Sequence, residues 1–451
     1  DEGFSAYVRV LWNLQELPTD EAVCGWNDPG IPTLNKMQWN ADDGWVKGMY
    51  YRIYYQITLC NEFIYQSRDE RLDERGFSDA DKEMIRMYRN EARFLRSLSY
   101  FHAMDLFGNV PFVTEEDRVG AFQPERITRT DLFNYVESEL IDLSNVLSLA
   151  GTVDYGRATR EAAKTLLAKV YLNAEVYSGT NRYDDCRNYC EQVINSGAFQ
   201  LDMDYQHLFL ADNQNSSEVI FPVVYDGLYA QTWGGTTYLV CGALGGSMNA
   251  ADYGVNGKWG GLRSTSAFVN KFPDTTEDSR FLFYRDGQEL EITNLGTFTQ
   301  GYAYPKYKNV TSVGDVGSNN GTSAHVDIDF PMFRLADVYL MLAESAYRNG
   351  DQGTALNYVN MLRERAYGNS NNNMSSINLD DILDERSREL AWEGSRRTDL
   401  IRFGKFTSGD YVWPFKGGDV SGVGTSSHLE LYPIPTSDLI LNPNLTQNPG
   451  Y

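Results

Sequence analysis

Histidine is scarce in this 451-residue chain: His102, His207, His325 and His428 stand far apart, with no HExxH and no cysteine beside them. That spacing excludes the common zinc-hydrolase motifs. Cysteine is little more abundant. The five residues are odd in number, and Cys24, Cys60 and Cys241 are so widely separated that no disulfide framework can be read and their redox state stays open. Cys186 and Cys190, four apart in YDDCRNYCEQVI, share one helical face without a second pair and are expected to be core thiols. Long apolar runs are missing as well. No stretch approaches the ~18 uninterrupted apolar residues of a membrane helix. The opening Asp1-Glu2-Gly3-Phe4 has no basic start followed by an apolar block, so a signal peptide is expected to be absent or already removed. Basic residues are outnumbered, 39 Lys and Arg against 62 Asp and Glu, for a net charge of −23. Nucleic-acid backbones and anionic lipid surfaces are repelled by such a charge, while neutral ligands remain open.

Catalytic signatures are equally thin. GxSxG, GxxxxGK and a dinucleotide fingerprint are all missing from the sequence. Asp327 and Asp329 form a D-x-D in HVDIDF, but the rest of an EF-hand ladder is lacking, so a solvated strand edge is the expectation. No cofactor is expected; calcium is allowed by this motif and not required. An aromatic-rich helical chain could also be a glycoside hydrolase with paired carboxylates. In ERSRELAWEGSRRTDLIRFGK, Glu385, Glu389 and Glu393 recur every four residues, interleaved with Arg388, Arg396 and Arg402. Guanidiniums lower a carboxyl pKa where a catalytic acid needs it raised, so these pairs read as structural.

What is present is an ordinary globular composition, 42% hydrophobic and 22% charged, with an unusual aromatic share of 13%, including 30 Tyr and 8 Trp. Apolar periodicity predicts helices over 45–66, from an N-cap at Ser78 to about Phe107, and over 130–147, 159–178 and 183–195. A second helical group is predicted over 330–348, 352–367 and 379–403. In two places a helix rich in small residues is followed after a short turn by another, as in tetratricopeptide units, and about four such units are expected. Between the groups, from about 200 to 330, Gly, Asn, Ser and Tyr dominate, with a β-like run at 218–224. The fold class expected is therefore mostly α. A tetratricopeptide-like scaffold over about 43–199 and 330–404 would carry a long irregular, ligand-binding region over about 200–330 plus the 12–45 loop, all as one domain over 1–451.

Tryptophan is the sharpest signal. Trp12, Trp26, Trp39 and Trp45 crowd the first tenth of the chain, and Trp233 and Trp259 lie in the glycine-rich middle. Flat rings in loops beside Asn, Asp and Gly suit sugars, whose C–H faces lie over a ring while amides, carboxylates and Arg meet the hydroxyls. Any one Trp is more often core, but the group favours ligand binding.

The blocks NEARFLRSLSYFHAMDLFGNVPFVTEE, ATREAAKTLLAKVYLNAEVY, FRLADVYLMLAESAYRNG, ERSRELAWEGSRRTDLIRFGKF and YPIPTSDLILNPNLTQNPGY, in this order, resemble the signature blocks of the SusD/RagB family across nearly the whole chain. The resemblance implies a surface lipoprotein of the Bacteroidetes outer membrane that binds glycan without catalysis and works with a TonB-dependent SusC-like transporter. It also implies a signal peptide and a lipidated cysteine upstream of residue 1, so that membrane contact would be through a lipid anchor. LPTDEA at 17–22 and WGGLRST at 259–265 match family landmarks, and WNDPG with TWGGTTYL is most similar to starch binders. On that resemblance an α-glucan is the expected ligand. Trp45, Trp259 and Tyr253 are the expected platforms, with Trp233 the alternative and Trp26 in the same early loop. Asn27, Asp28 and Arg263 are the expected hydroxyl partners. Two other readings stay open, a helical glycoside hydrolase and a tetratricopeptide-type scaffold for a protein partner.

Overall fold

A computed structural model of the protein describes residues 3–117, 120 and 122–451. The fold is mostly helical, and the chain packs as two compact units. One is built from Asp1–Trp39, Asp43–Gly48 and Phe199–Glu430, the other from Asn40–Asp42, Met49–Ala198 and Leu431–Tyr451. The second of these is the simpler. The Asp79–Leu106 helix packs on Arg129–Val146, that helix on Arg160–Leu172, and this last on Tyr183–Asn195. Side-chain caps set three of the starts: Ser78 accepts from the amide of Asp81, Thr128 from that of Asp131, and Thr159 from that of Ala162. Ala162, Ala163 and Ala168 are fully buried and let neighbouring helices approach closely, while Leu132, Leu140, Leu166 and Leu167 fill the space between them. Each such leucine contributes roughly 1.5–3 kcal/mol by leaving water. Cys186 and Cys190 lie buried in this core, as expected, and Cys24, Cys60 and Cys241 are also buried.

Helix starts and lengths follow the sequence pattern well, with four departures. The helix expected over 159–178 divides into Arg160–Leu172 and Ala174–Ser178 at Asn173, whose ψ of 7° leaves the helical range. That expected over 330–348 gives up its first turns. Phe330–Arg334 is a strand, antiparallel to Val219–Val223, and only Leu335–Arg348 is helical. Pro331 lies opposite Pro222 beside a bulge, a register in which neither residue needs an amide hydrogen. The 379–403 helix breaks into Leu379–Leu390 and Arg396–Arg402, because Trp392 takes φ 62° and Gly394 φ 76°. The 12–45 segment is no plain loop either: it holds the end of the Tyr7–Glu16 helix, the Ala22–Cys24 strand and the short Ile31–Asn35 helix.

Trp392 shows how the first unit is locked. Its left-handed backbone, costly for a bulky residue, is held by the Glu21 carboxylate, which accepts its amide at 3.2 Å. The Trp392 carbonyl accepts the Trp12 indole N–H at 3.0 Å and the Tyr307 hydroxyl at 3.2 Å. Below it lies a buried ion network. Arg334 meets Glu218 at 2.8 Å, Glu389 at 2.7 Å and Glu393 at 2.6 Å, and Arg280 meets Glu385 at 2.6 Å. Burial alone would raise Glu385, but Arg280, Arg388 and Arg363 hold it down at about 2. These carboxylates are structural, as the arginine spacing implied. Arg396 and Arg402 look elsewhere, to Asp20 and Glu344.

Candidate functional site

The short Ala22–Cys24 strand pairs antiparallel with Leu262–Ser264, with Cys24 opposite Leu262. One residue further the pairing persists, the Gly25 amide donating to the Gly261 carbonyl at 2.9 Å, and this delivers Trp26 onto the 259–261 segment. The indole N–H of Trp26 donates to the Trp259 carbonyl at 3.3 Å. A Cβ on Gly261 would stand 2.3 Å from the Trp26 ring, so only glycine admits this approach. Residues 259–261 are fixed from their other edge by the end of the Thr236–Ala243 helix. The amides of Trp259, Gly260 and Gly261 donate to the carbonyls of Cys241, Leu244 and Gly242 at 2.8, 2.8 and 2.9 Å. Carbonyls at the helix end thereby become the mount for Trp259.

The result is a row of rings. Trp26 and Trp259 are centred 6.3 Å apart and tilted by 50°, Trp259 and Trp233 6.0 Å apart and tilted by 42°. Trp233 continues to His325, 4.2 Å away at 49°. Trp233 is 45% exposed, while Trp26 and Trp259 are half-buried, each with part of its surface open. Behind the row the Tyr238 ring lies 5.9 Å from Trp26, its hydroxyl donating to the Asn13 side chain at 2.7 Å. The Arg9 guanidinium packs over Tyr238 at 4.4 Å and lies 5.8 Å from Trp26. Spacing, tilt and partial exposure together give a surface onto which successive flat, C–H-rich faces can stack, with hydroxyl and amide groups at the margin.

Of the residues singled out from sequence, Trp26, Trp233 and Trp259 are brought together, and Asn27 is exposed immediately beyond Trp26. Asp28 is half-buried and faces a separate cavity of about 220 Å³ shared with Phe4, Pro29 and Trp45. Three expectations are overturned. Trp45 is 3% exposed, its ring covered by Phe4 at 5.3 Å and by Arg9 at 5.2 Å, so it is not an open stacking platform. Arg263 is 0% exposed. Its guanidinium donates to the carbonyls of Leu295, Thr297 and Gln300, the last at 2.6 Å, and so ties down a loop where a sugar partner was expected. Burial pushes it down to about 10. Tyr253 is buried in the 3-10 turn Ala250–Tyr253, with Lys308 over its ring at 5.6 Å and its phenol pushed up by burial to about 12.

The D-x-D pair is not a solvated edge. Asp329 is buried and accepts the Tyr225 amide at 2.8 Å, while Asp327 accepts from the Gly227 amide at 2.7 Å and the Ser318 hydroxyl at 2.6 Å. Among the described residues no group of three or more His, Cys, Asp or Glu is placed to hold a metal ion. Sequence reasoning passed over His325, Tyr238 and Arg9. His325 stands 92 positions from the Trp233 it touches, and no local pattern signals that meeting.

Comparison with known proteins fits this geometry. A model of the SusD family matches residues 228–451, and another, described as "Starch-binding associating with outer membrane", matches residues 22–172. Starch-binding protein SusD of Bacteroides thetaiotaomicron is 33% identical over 100% of this chain and 87% of its own length. The chain belongs to the SusD family. Its class is that of a non-catalytic glycan binder. SusD-like protein P25 of Formosa agariphila is 26% identical over 80% of this chain and 72% of its own. Among solved structures, a SusD superfamily protein from Parabacteroides distasonis superposes with a TM-score of 0.77 at 24% identity, covering 98% of this chain and 93% of that one. Surface glycan-binding protein A from Bacteroides fluxus gives 0.76 at 21%, covering 99% and 96%. At those identities the two structures speak for the fold.

Proposed function

We propose that this SusD-family protein binds a neutral polysaccharide, best a starch-like α-glucan, along the row Trp26–Trp259–Trp233, and passes it to a TonB-dependent SusC-like transporter. On this reading it works at the outer-membrane surface, held there by a lipid anchor, and needs no metal or cofactor. The observation that carries the reading is the row itself: three indoles from three separate loop segments, successively tilted and each partly open. A relative named as starch-binding, aligned over the whole chain, supports the choice of glucan. Asn27 and His325, whose buried Nδ1 lacks a hydrogen-bond partner, are the polar groups beside the row. The deciding experiment is affinity electrophoresis in gels containing amylopectin, dextran or a β-glucan. Retardation by amylopectin, reversed by added maltoheptaose, is the expected outcome; equal mobility in all gels would refute glucan binding. Shortened products after overnight incubation would refute the binding-only role.

A further inference from the structure

The second unit holds a larger cavity that the tryptophan row does not use. Its volume is about 770 Å³, within the ~300–1,000 Å³ typical of small-molecule sites. Tyr50, Tyr51, Tyr54 and Tyr65, from one side of the Gly44–Gln66 helix, line it together with Asn61 and Asp438. Most hydrogen bonds on this wall are settled. Tyr54 donates to the Pro111 carbonyl at 2.8 Å, Tyr51 to Asp438 at 3.0 Å, and Asn61 to the Val113 carbonyl at 3.2 Å. One is not. Tyr50 is 2% exposed, and among the described residues its hydroxyl finds no partner. A buried hydroxyl without a partner is uncommon and points to a missing one.

The chemistry of the walls selects the kind of ligand. Glu62, Glu115, Asp117 and Asp438 face Arg71, so an anion meets net repulsion. Each of those carboxylates already has a donor: Gln66 for Glu62, Arg96 for Glu115, the Thr114 amide for Asp117 and Tyr51 for Asp438. Arg96 neutralises Glu115, while Glu62, Asp117 and Asp438 accept from neutral groups and keep acceptor capacity for ligand hydroxyls. Hydroxyls can share acceptors that are already in use, and tyrosine rings offer the faces that C–H-rich ring edges stack on.

We infer that this tyrosine-lined cavity is a second saccharide site, in a different unit from the tryptophan row, which takes a short neutral oligosaccharide. The choice of a glucan as probe rests on the proposed function above. The test is titration of the full chain with maltotriose by calorimetry and saturation-transfer NMR, in wild type, in Trp233→Ala/Trp259→Ala, and in that double variant carrying Tyr51→Ala or Tyr50→Phe. Circular dichroism confirms that each is folded. The double variant should keep a weak saturable site. Tyr51→Ala should abolish it, and Tyr50→Phe, which removes only the unpartnered hydroxyl, should weaken it by about fivefold, the scale of one hydrogen bond. If wild type binds and the double variant does not, the second site is refuted and the row stands. Residual binding unchanged by both tyrosine substitutions also refutes it. No binding by wild type overturns both.

Discussion

Sequence favours Trp45 as a platform with Trp233 as the alternative, and the structure reverses that order in a way one pair of variants can test. Trp233 is 45% exposed and, among the described residues, touches only the rings of His325 and Trp259, whereas Trp45 is 3% exposed beneath Phe4 and Arg9. Truncating a fully buried Trp costs roughly 3–5 kcal/mol. Trp45→Ala should therefore lose about that much stability, and Trp233→Ala, with nearly half its surface already in water, about 1–2 kcal/mol. Binding should run the other way. One stacked ring is worth about 0.5–1.5 kcal/mol, which for Trp233→Ala is a roughly 2- to 13-fold weaker Kd for maltoheptaose. Trp45→Ala should bind as wild type wherever it is folded. Calorimetric titration well below both melting points, paired with thermal unfolding, reads the two quantities separately. Wild-type affinity in Trp233→Ala, or a larger loss of affinity in Trp45→Ala than in Trp233→Ala, would refute the assignment of the row.

Three further outcomes follow from the same geometry. Burial, opposed by Arg396, raises Glu21 from 4.5 to about 7, so the folded chain keeps a proton that the unfolded chain has released. That stabilisation, roughly 3 kcal/mol, is complete below pH ~4.5 and is lost as pH rises through about 7. Glu21→Gln, neutral throughout, should flatten the fall in denaturant midpoint between about pH 5 and 8. Glu389→Ala would leave Arg334, Arg365 and Arg280 short of a buried counter-charge and should destabilise by about 3–5 kcal/mol, seen as a large drop in melting temperature. Glucan affinity should change by less than about twofold from roughly 50 mM to 0.5 M salt, because a neutral ligand releases no counterions; a tenfold loss by calorimetry would indicate an anionic ligand.

Helices were legible in sequence because their signals are local. The Ser78 cap with Asp81 three residues on, and the repeat of apolar positions to Leu106, place that helix to within a residue. Interruptions were not, because their causes are distant. Nothing near Phe330 announces that its strand partner lies at Val219–Val223, and Trp392 leaves the helical range through a carboxylate 371 positions away. The site divides along the same line. Two tryptophan-rich loops could be seen, and so could their sugar-like chemistry. That Cys24 pairs with Leu262, which carries Trp26 onto Trp259, could not. Burial is also a property of the fold, so Trp45, Tyr253 and Arg263 looked as available as Trp233.

Arg263 shows what such a residue does when it is not a ligand partner. It follows Trp259 by four positions, sits in the strand that pairs with Ala22–Cys24, and reaches across to three carbonyls of the 295–300 loop. A Cβ on Gly25 would fall 2.4 Å from the Leu295 carbonyl and 2.7 Å from this guanidinium, so the chain just before Trp26 is wedged against the same loop. Trp26 is thus fixed by strand pairing and by Arg263 behind it, and Trp259 by three amides on a helix end. Both rings are ordered before any ligand arrives. Stacking on each ring is individually weak, and ordering a free side chain would consume ~0.5–1.5 kcal/mol, as much as the contact supplies. A row of indoles can hold a neutral sugar chain only if that ordering is already built into the fold, and here backbone hydrogen bonds and a buried arginine build it.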